Sequence, residues 1–111
     1  MKNLYSFRES RNFTKRLSEL LSAEEYSEFQ WRLLRFPDQG KVIPNGGGIR
    51  KIRFGAKGKG KSGGARMIYY LAIGKGEIFM LGIYAKNEKV DLSPAELKVL
   101  KNLVEEWLKN G

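Results

Sequence analysis

The sequence predicts an α+β domain in the order (β)ααβββα: a small antiparallel sheet with an N-terminal helical hairpin and a C-terminal helix, the helices covering one side of the sheet. Three observations predict it. Apolar residues recur at helical spacing in two stretches before Pro37, β-branched and aromatic runs separated by glycine turns fill residues 49–85, and a third helical stripe follows Ser93. With 111 residues the chain is expected to form a single domain, 1–111, around one packed core.

The elements follow in order. The stretch NLYSFRES (3–10) alternates briefly and predicts a short opening strand. From about Arg8 to Leu21, the residues Phe13, Leu17, Leu20 and Leu21 fall on one helical face. Ser22-Ala-Glu-Glu25 is a capping box, so a second helix begins there, presents Tyr26, Phe29, Leu33 and Leu34, and stops before Pro37. Residues 37–48, PDQGKVIPNGGG, read as a loop. IRKIRF (49–54) predicts a strand, and ARMIYYLAI (65–73) and EIFMLGIYA (77–85) predict two more, joined by a tight turn at Gly74-Lys-Gly76. Ser93-Pro-Ala-Glu96 is a second capping box with proline at the first helical position. The closing helix aligns Leu97, Leu100, Val104, Trp107 and Leu108.

Composition narrows the chemistry. The chain has neither cysteine nor histidine, which removes thiolate chemistry, the commonest metal ligand and the commonest general base. No cofactor and no metal are expected. No segment approaches the length of a membrane span and the N-terminus has no leader-like apolar run, so a cytoplasmic protein with no membrane partner is the expectation. The net charge of +9 is concentrated: residues 1–40 carry +1, residues 41–89 carry +9, and residues 90–111 carry −1. A basic face of that kind points to a polyanion.

Within it, Gly55-Ala-Lys-Gly-Lys-Gly-Lys-Ser62 fits the phosphate-loop pattern G-x-x-x-x-G-K-[ST]. That loop works by presenting the free N–H groups of a following helix to phosphates. Here GGARMIYYLAI follows, which is strand material, so the context speaks against nucleoside-triphosphate binding and the stretch reads as a lysine-studded connection between strands.

Arg50, Lys51, Arg53, Lys57, Lys59, Lys61 and Arg66 are seven cations in seventeen residues with no acid among them. Lys51 and Arg53 share one strand face, Arg66 can join them, and Tyr84, Lys86, Asn87 and Lys89 follow at the rim of the last strand. An open cationic face with tyrosines suits an RNA backbone. The same residues could cut RNA without a metal. Attack by the 2′-hydroxyl needs a base, an acid for the leaving 5′-oxygen and cations around the phosphorane. Arg66 could neutralise the phosphorane, and Lys51, Lys86 or Tyr84 could move protons. Composition leaves cutting and binding both open.

GGIRKIRFGAKGKGKSGGARMIYY (47–70) and IYAKNEKVDLSP (83–94) closely resemble the HigB branch of the RelE-like toxins of bacterial type II toxin–antitoxin systems, and the resemblance runs from FRES to the closing helix. It implies the RelE fold and a ribosome-dependent mRNA endonuclease that cuts the codon in the decoding site. It also implies a cognate antitoxin protein, contact with the 70S ribosome and mRNA, and operator DNA engaged only through the toxin–antitoxin complex. By position, the catalytic set implied is Lys51, Arg53, Arg66, Tyr84 and Lys86. Arg50, Lys57, Lys59, Lys61, Asn87 and Lys89 are then the RNA-gripping residues. RelE places a further arginine and tyrosine where this chain has Asn87 and the VDLSP turn, and some HigB relatives use histidines, so base and acid stay unassigned. The alternatives are a non-catalytic RNA- or ribosome-binding translation inhibitor and a ParE-like gyrase inhibitor.

Overall fold

A computed structural model describes residues 4–55 and 64–110. The element order is β1 (Ser6–Glu9), α1 (Arg11–Leu20), α2 (Ala23–Arg35), β2 (Lys41–Val42), β3 (Arg50–Phe54), β4 (Ala65–Ala72), β5 (Glu77–Ala85) and α3 (Pro94–Asn110). Both capping boxes form: Ser22 and Glu25 close the start of α2, and Ser93 and Glu96 exchange the same pair of bonds at the start of α3. The first helix begins later than the periodicity predicts. Arg8 and Glu9 pair with Phe79 and Met80 as strand, and Ser10 is the N-cap, its hydroxyl accepting from the Phe13 N–H and donating to the Leu81 carbonyl.

The five strands lie in the order β1-β5-β4-β3-β2. The sheet is mixed rather than wholly antiparallel, because β1 runs parallel to β5 while the other pairs are antiparallel. Strand β2 arises inside the stretch expected to be loop, pairing Lys41 with Lys51 and Val42 with Arg50. The β4–β5 connection is a single 3-10 turn at Ile73–Lys75, closed by Gly76 in the left-handed conformation at φ 64°.

Helices cover both faces of the sheet, not one. On the first face Phe13, Leu21, Phe29 and Leu33 pack against Ile52, Phe54, Met67, Tyr69, Ile78, Met80 and Ile83. On the second, Leu97, Leu100, Leu103, Val104 and Trp107 of α3 cover Ile49, Ile68, Phe79, Leu81 and Tyr84. Leu108, expected in the α3 stripe, is exposed, and Leu103 packs in its place. The two-sided burial follows from β4 and β5 themselves, whose alternate positions are apolar on each side. Arg8 ties β1 to α3, with its guanidinium 4.1 Å from the centre of the Trp107 ring. Tyr69 anchors the segment before β2: its hydroxyl donates to the Pro37 carbonyl and accepts from the Gly40 N–H. Gly40 is required there, since a Cβ would lie 2.8 Å from the Tyr69 ring.

Candidate RNA-binding and cleavage site

Alternation along β4 turns Ala65, Met67 and Tyr69 toward α1 and α2, which leaves Arg66, Ile68 and Tyr70 on the α3 side. On β3, Ile52 and Phe54 enter the first core, so Lys51 and Arg53 share the face of Arg66. Arg53 pairs directly with Arg66, and Arg66 directly with Tyr84. The three form one row across three strands, with Lys51 one step along, opposite Ile68.

Tyr84 reaches this row through a bulge. Ile68 pairs with Gly82 and Tyr69 with Met80, leaving Leu81 without a partner across β4. The extra residue reverses the alternation beyond it, so Phe79, Leu81 and Tyr84 all face α3. The open cationic face with solvent-exposed tyrosines is therefore corrected in one respect. Tyr84 is buried, with 4% of its surface accessible, and the row lies at the margin of α3 rather than on a bare sheet.

The chain between β5 and α3 lies across the row. The Tyr84 hydroxyl donates to the Val90 carbonyl at 3.3 Å, and the Lys51 ammonium donates to Asp91 at 2.6 Å. Lys89 pairs with Glu96, its nitrogen 5.4 Å from the centre of the Tyr84 ring. Glu88 accepts from the Ala85 N–H and from Arg16 of α1, which holds the turn at Lys86 and Asn87. Those two side chains are exposed. Burial pushes the Tyr84 phenol above its usual range; Lys51, Arg66 and Lys89 oppose the shift and Asp91 adds to it. Tyr84 is thus a neutral hydroxyl at physiological pH, a donor rather than a base.

Arg66 is half-buried, and among the described residues one terminal nitrogen of its guanidinium is buried without a hydrogen-bond partner. A buried donor left unpaired is costly, and a phosphate oxygen is an acceptor suited to it. Arg50 does not join the row. It pairs with Tyr69, on the α1–α2 side, and donates to the Asp38 and Gly40 carbonyls. Lys57, Lys59 and Lys61 lie outside the described residues. Asp91 is the residue that sequence reasoning missed: forty positions separate it from Lys51, and nothing local marks it as a partner. The Lys51–Asp91 pair also lines a cleft of about 640 Å³ between α3 and residues 43–45, which Lys98 and Lys101 line as well. Among the described residues no group of three or more acidic, cysteine or histidine side chains could hold a metal, and no helix is long and apolar enough to cross a membrane.

A mixed five-stranded sheet with helices on both faces defines the class: an α+β domain with the RelE fold. The chain belongs to the RelE toxin family, described as the RelE toxin of the RelE/RelB toxin–antitoxin system, whose pattern matches residues 38–110. Among solved structures it is similar to a free-state mutant of the Escherichia coli toxin RelE, at 18% identity and a TM-score of 0.56, covering 72% of this chain and 81% of that one. At that identity the structural likeness shows the fold.

Proposed function

We propose that this protein is the toxin of a type II toxin–antitoxin pair, of the HigB-like branch, acting in the cytoplasm as a ribosome-dependent mRNA endonuclease. The observation that carries the reading is the Arg53–Arg66–Tyr84 row with Lys51 beside it. Arg66 would bind the scissile phosphate through its unpartnered nitrogen and neutralise charge as the phosphorane forms. Arg53 and Lys51 would hold the same phosphate or its neighbour. The 2′-oxygen attacks phosphorus, its proton leaving to a base, while an acid protonates the departing 5′-oxygen; the message is left with a 2′,3′-cyclic phosphate. Tyr84, kept as a phenol, suits the donor's part, and Lys86 stands exposed at the rim for either proton. None of these steps calls for a metal.

The partners follow from the reading: a cognate antitoxin that covers the toxin, the ribosome that presents the message, and operator DNA reached only through the antitoxin. Mapping transcript ends after a pulse of expression tests it. New ends within translated codons support the endonuclease. Arrested translation with intact message would favour a binding inhibitor, and broken DNA with intact message a gyrase poison.

A further inference from the structure

We propose that the Asp91 carboxylate occupies the place of an RNA phosphate on Lys51, so that the free protein holds part of its binding site closed against RNA. The inference rests on the RNA-binding reading and deepens it. Three observations support it. Consecutive residues engage two groups of the site: Val90 through its carbonyl on the Tyr84 hydroxyl, and Asp91 through its carboxylate on the Lys51 ammonium. A carboxylate oxygen at 2.6 Å from an ammonium stands where a phosphate oxygen would stand, with the same charge sign and the same bond.

The second observation is the exposure of the covering segment. Val90 is 80% exposed and the Asp91 side chain 71% exposed, whereas the Lys51 side chain is only 26% exposed. Asp91 therefore leaves by moving into water, and an exposed ion pair is a weak restraint. The third is that the segment is held elsewhere. Glu88 bonds to Ala85 and Arg16, and Lys89 to Glu96, so residues 90 and 91 can swing between fixed ends without loosening β5 or α3. Asp91 adds negative charge to an otherwise cationic row, which weakens binding to isolated RNA. A substrate presented with several phosphates in register overcomes that charge more readily than a loose strand does.

The test uses the full-length protein and a fluorescein-labelled oligoribonucleotide bearing 2′-O-methyl groups, so that binding is read without cleavage. Asp91→Asn should bind roughly two- to fivefold tighter, the factor associated with an ordinary exposed ion pair. Its affinity should also fall more steeply with salt, by about 0.7 in the log–log slope, because one more cation meets phosphate. Asp91→Glu should bind as the native chain does. In a Lys51→Ala background, Asp91→Asn should no longer tighten binding. If Asp91→Asn binds equally or more weakly while Lys51→Ala weakens binding, Asp91 is a support for Lys51 and the proposal is wrong. If Lys51→Ala itself binds RNA unchanged, the RNA-binding reading of this row fails, and the proposal with it. Thermal melts of each variant confirm that the comparison is between folded proteins.

Discussion

Tyr84 stands directly opposite Arg66, and the two share a face because Leu81 has no partner across β4. In an unbulged ladder Leu81 would pair with Ile68, Ile83 would meet Arg66, and Tyr84 would turn into the α1–α2 core. A single bulge thus decides whether a hydroxyl lies beside the arginine row.

The burial of Tyr84 dictates how its role can be tested. Tyr84→Ala deletes a buried ring from the α3 core and should cost about 3–5 kcal/mol, enough to confuse loss of function with loss of fold. Tyr84→Phe keeps the ring and loses one long hydrogen bond, a cost of about 0.5–1.5 kcal/mol. If the hydroxyl is the proton donor, Tyr84→Phe should melt near the native temperature yet cleave message roughly 100-fold more slowly. Native-rate cleavage by that variant would assign Tyr84 to packing alone.

Arg66 and Arg53 are like charges paired across adjacent strands, an arrangement that costs stability. Arg66→Ala should therefore raise stability by a few tenths to about 1 kcal/mol while abolishing growth inhibition. Arg66→Lys should restore little activity, because an ammonium lacks the planar fork that grips two phosphate oxygens. Urea denaturation and a growth assay on the same variants check both halves.

Ser10 joins a cap to a strand. Its hydroxyl serves the Phe13 N–H at the start of α1 and the Leu81 carbonyl on the bulged strand. Ser10→Ala should cost about 2 kcal/mol by urea denaturation, more than an exposed cap, since both groups are left without this partner in a buried setting.

Stability should fall on acidification through the turn that precedes α3. The Ala85 N–H and Arg16 hold the Glu88 carboxyl below 4.5, and Lys89 with the Ser93 N–H does the same for Glu96. A depressed folded-state pKa means that the contribution is complete above about pH 4.5 and is lost as pH drops through the lower folded value. Both groups are largely exposed, so each effect should stay under about 1 kcal/mol. Glu88→Gln should flatten the difference in urea stability between pH 6 and pH 3.5 measured on the native chain.

Much of the fold was legible because its signals are local. Ser22 with Glu25 and Ser93 with Glu96 announce two helices, and the Lys51/Arg53 alternation against Ile52/Phe54 fixes which side of β3 is cationic. The second covered face was missed, although the unbroken apolar runs around Met67–Tyr70 and Ile78–Leu81 mark strands buried on both sides. The parallel pairing of β1 with β5 and the Lys51–Asp91 bond were not legible. Each joins residues far apart in sequence, and neither alters the local pattern at its ends. Arg50 misleads for a related reason: its charge matches its neighbours, but strand parity turns it to the other face.

Central placement of β4 has a kinetic consequence for the toxin. The strand that carries Arg66 is flanked by β3 and β5 and sandwiched between two cores, so its amides should exchange with deuterium only when the whole domain opens. Val90 and Asp91, on the exposed crossing, should exchange almost as fast as an unstructured peptide. Arg66 and the Val90–Asp91 crossing would then answer to different clocks, one set by global unfolding and the other by the solvent.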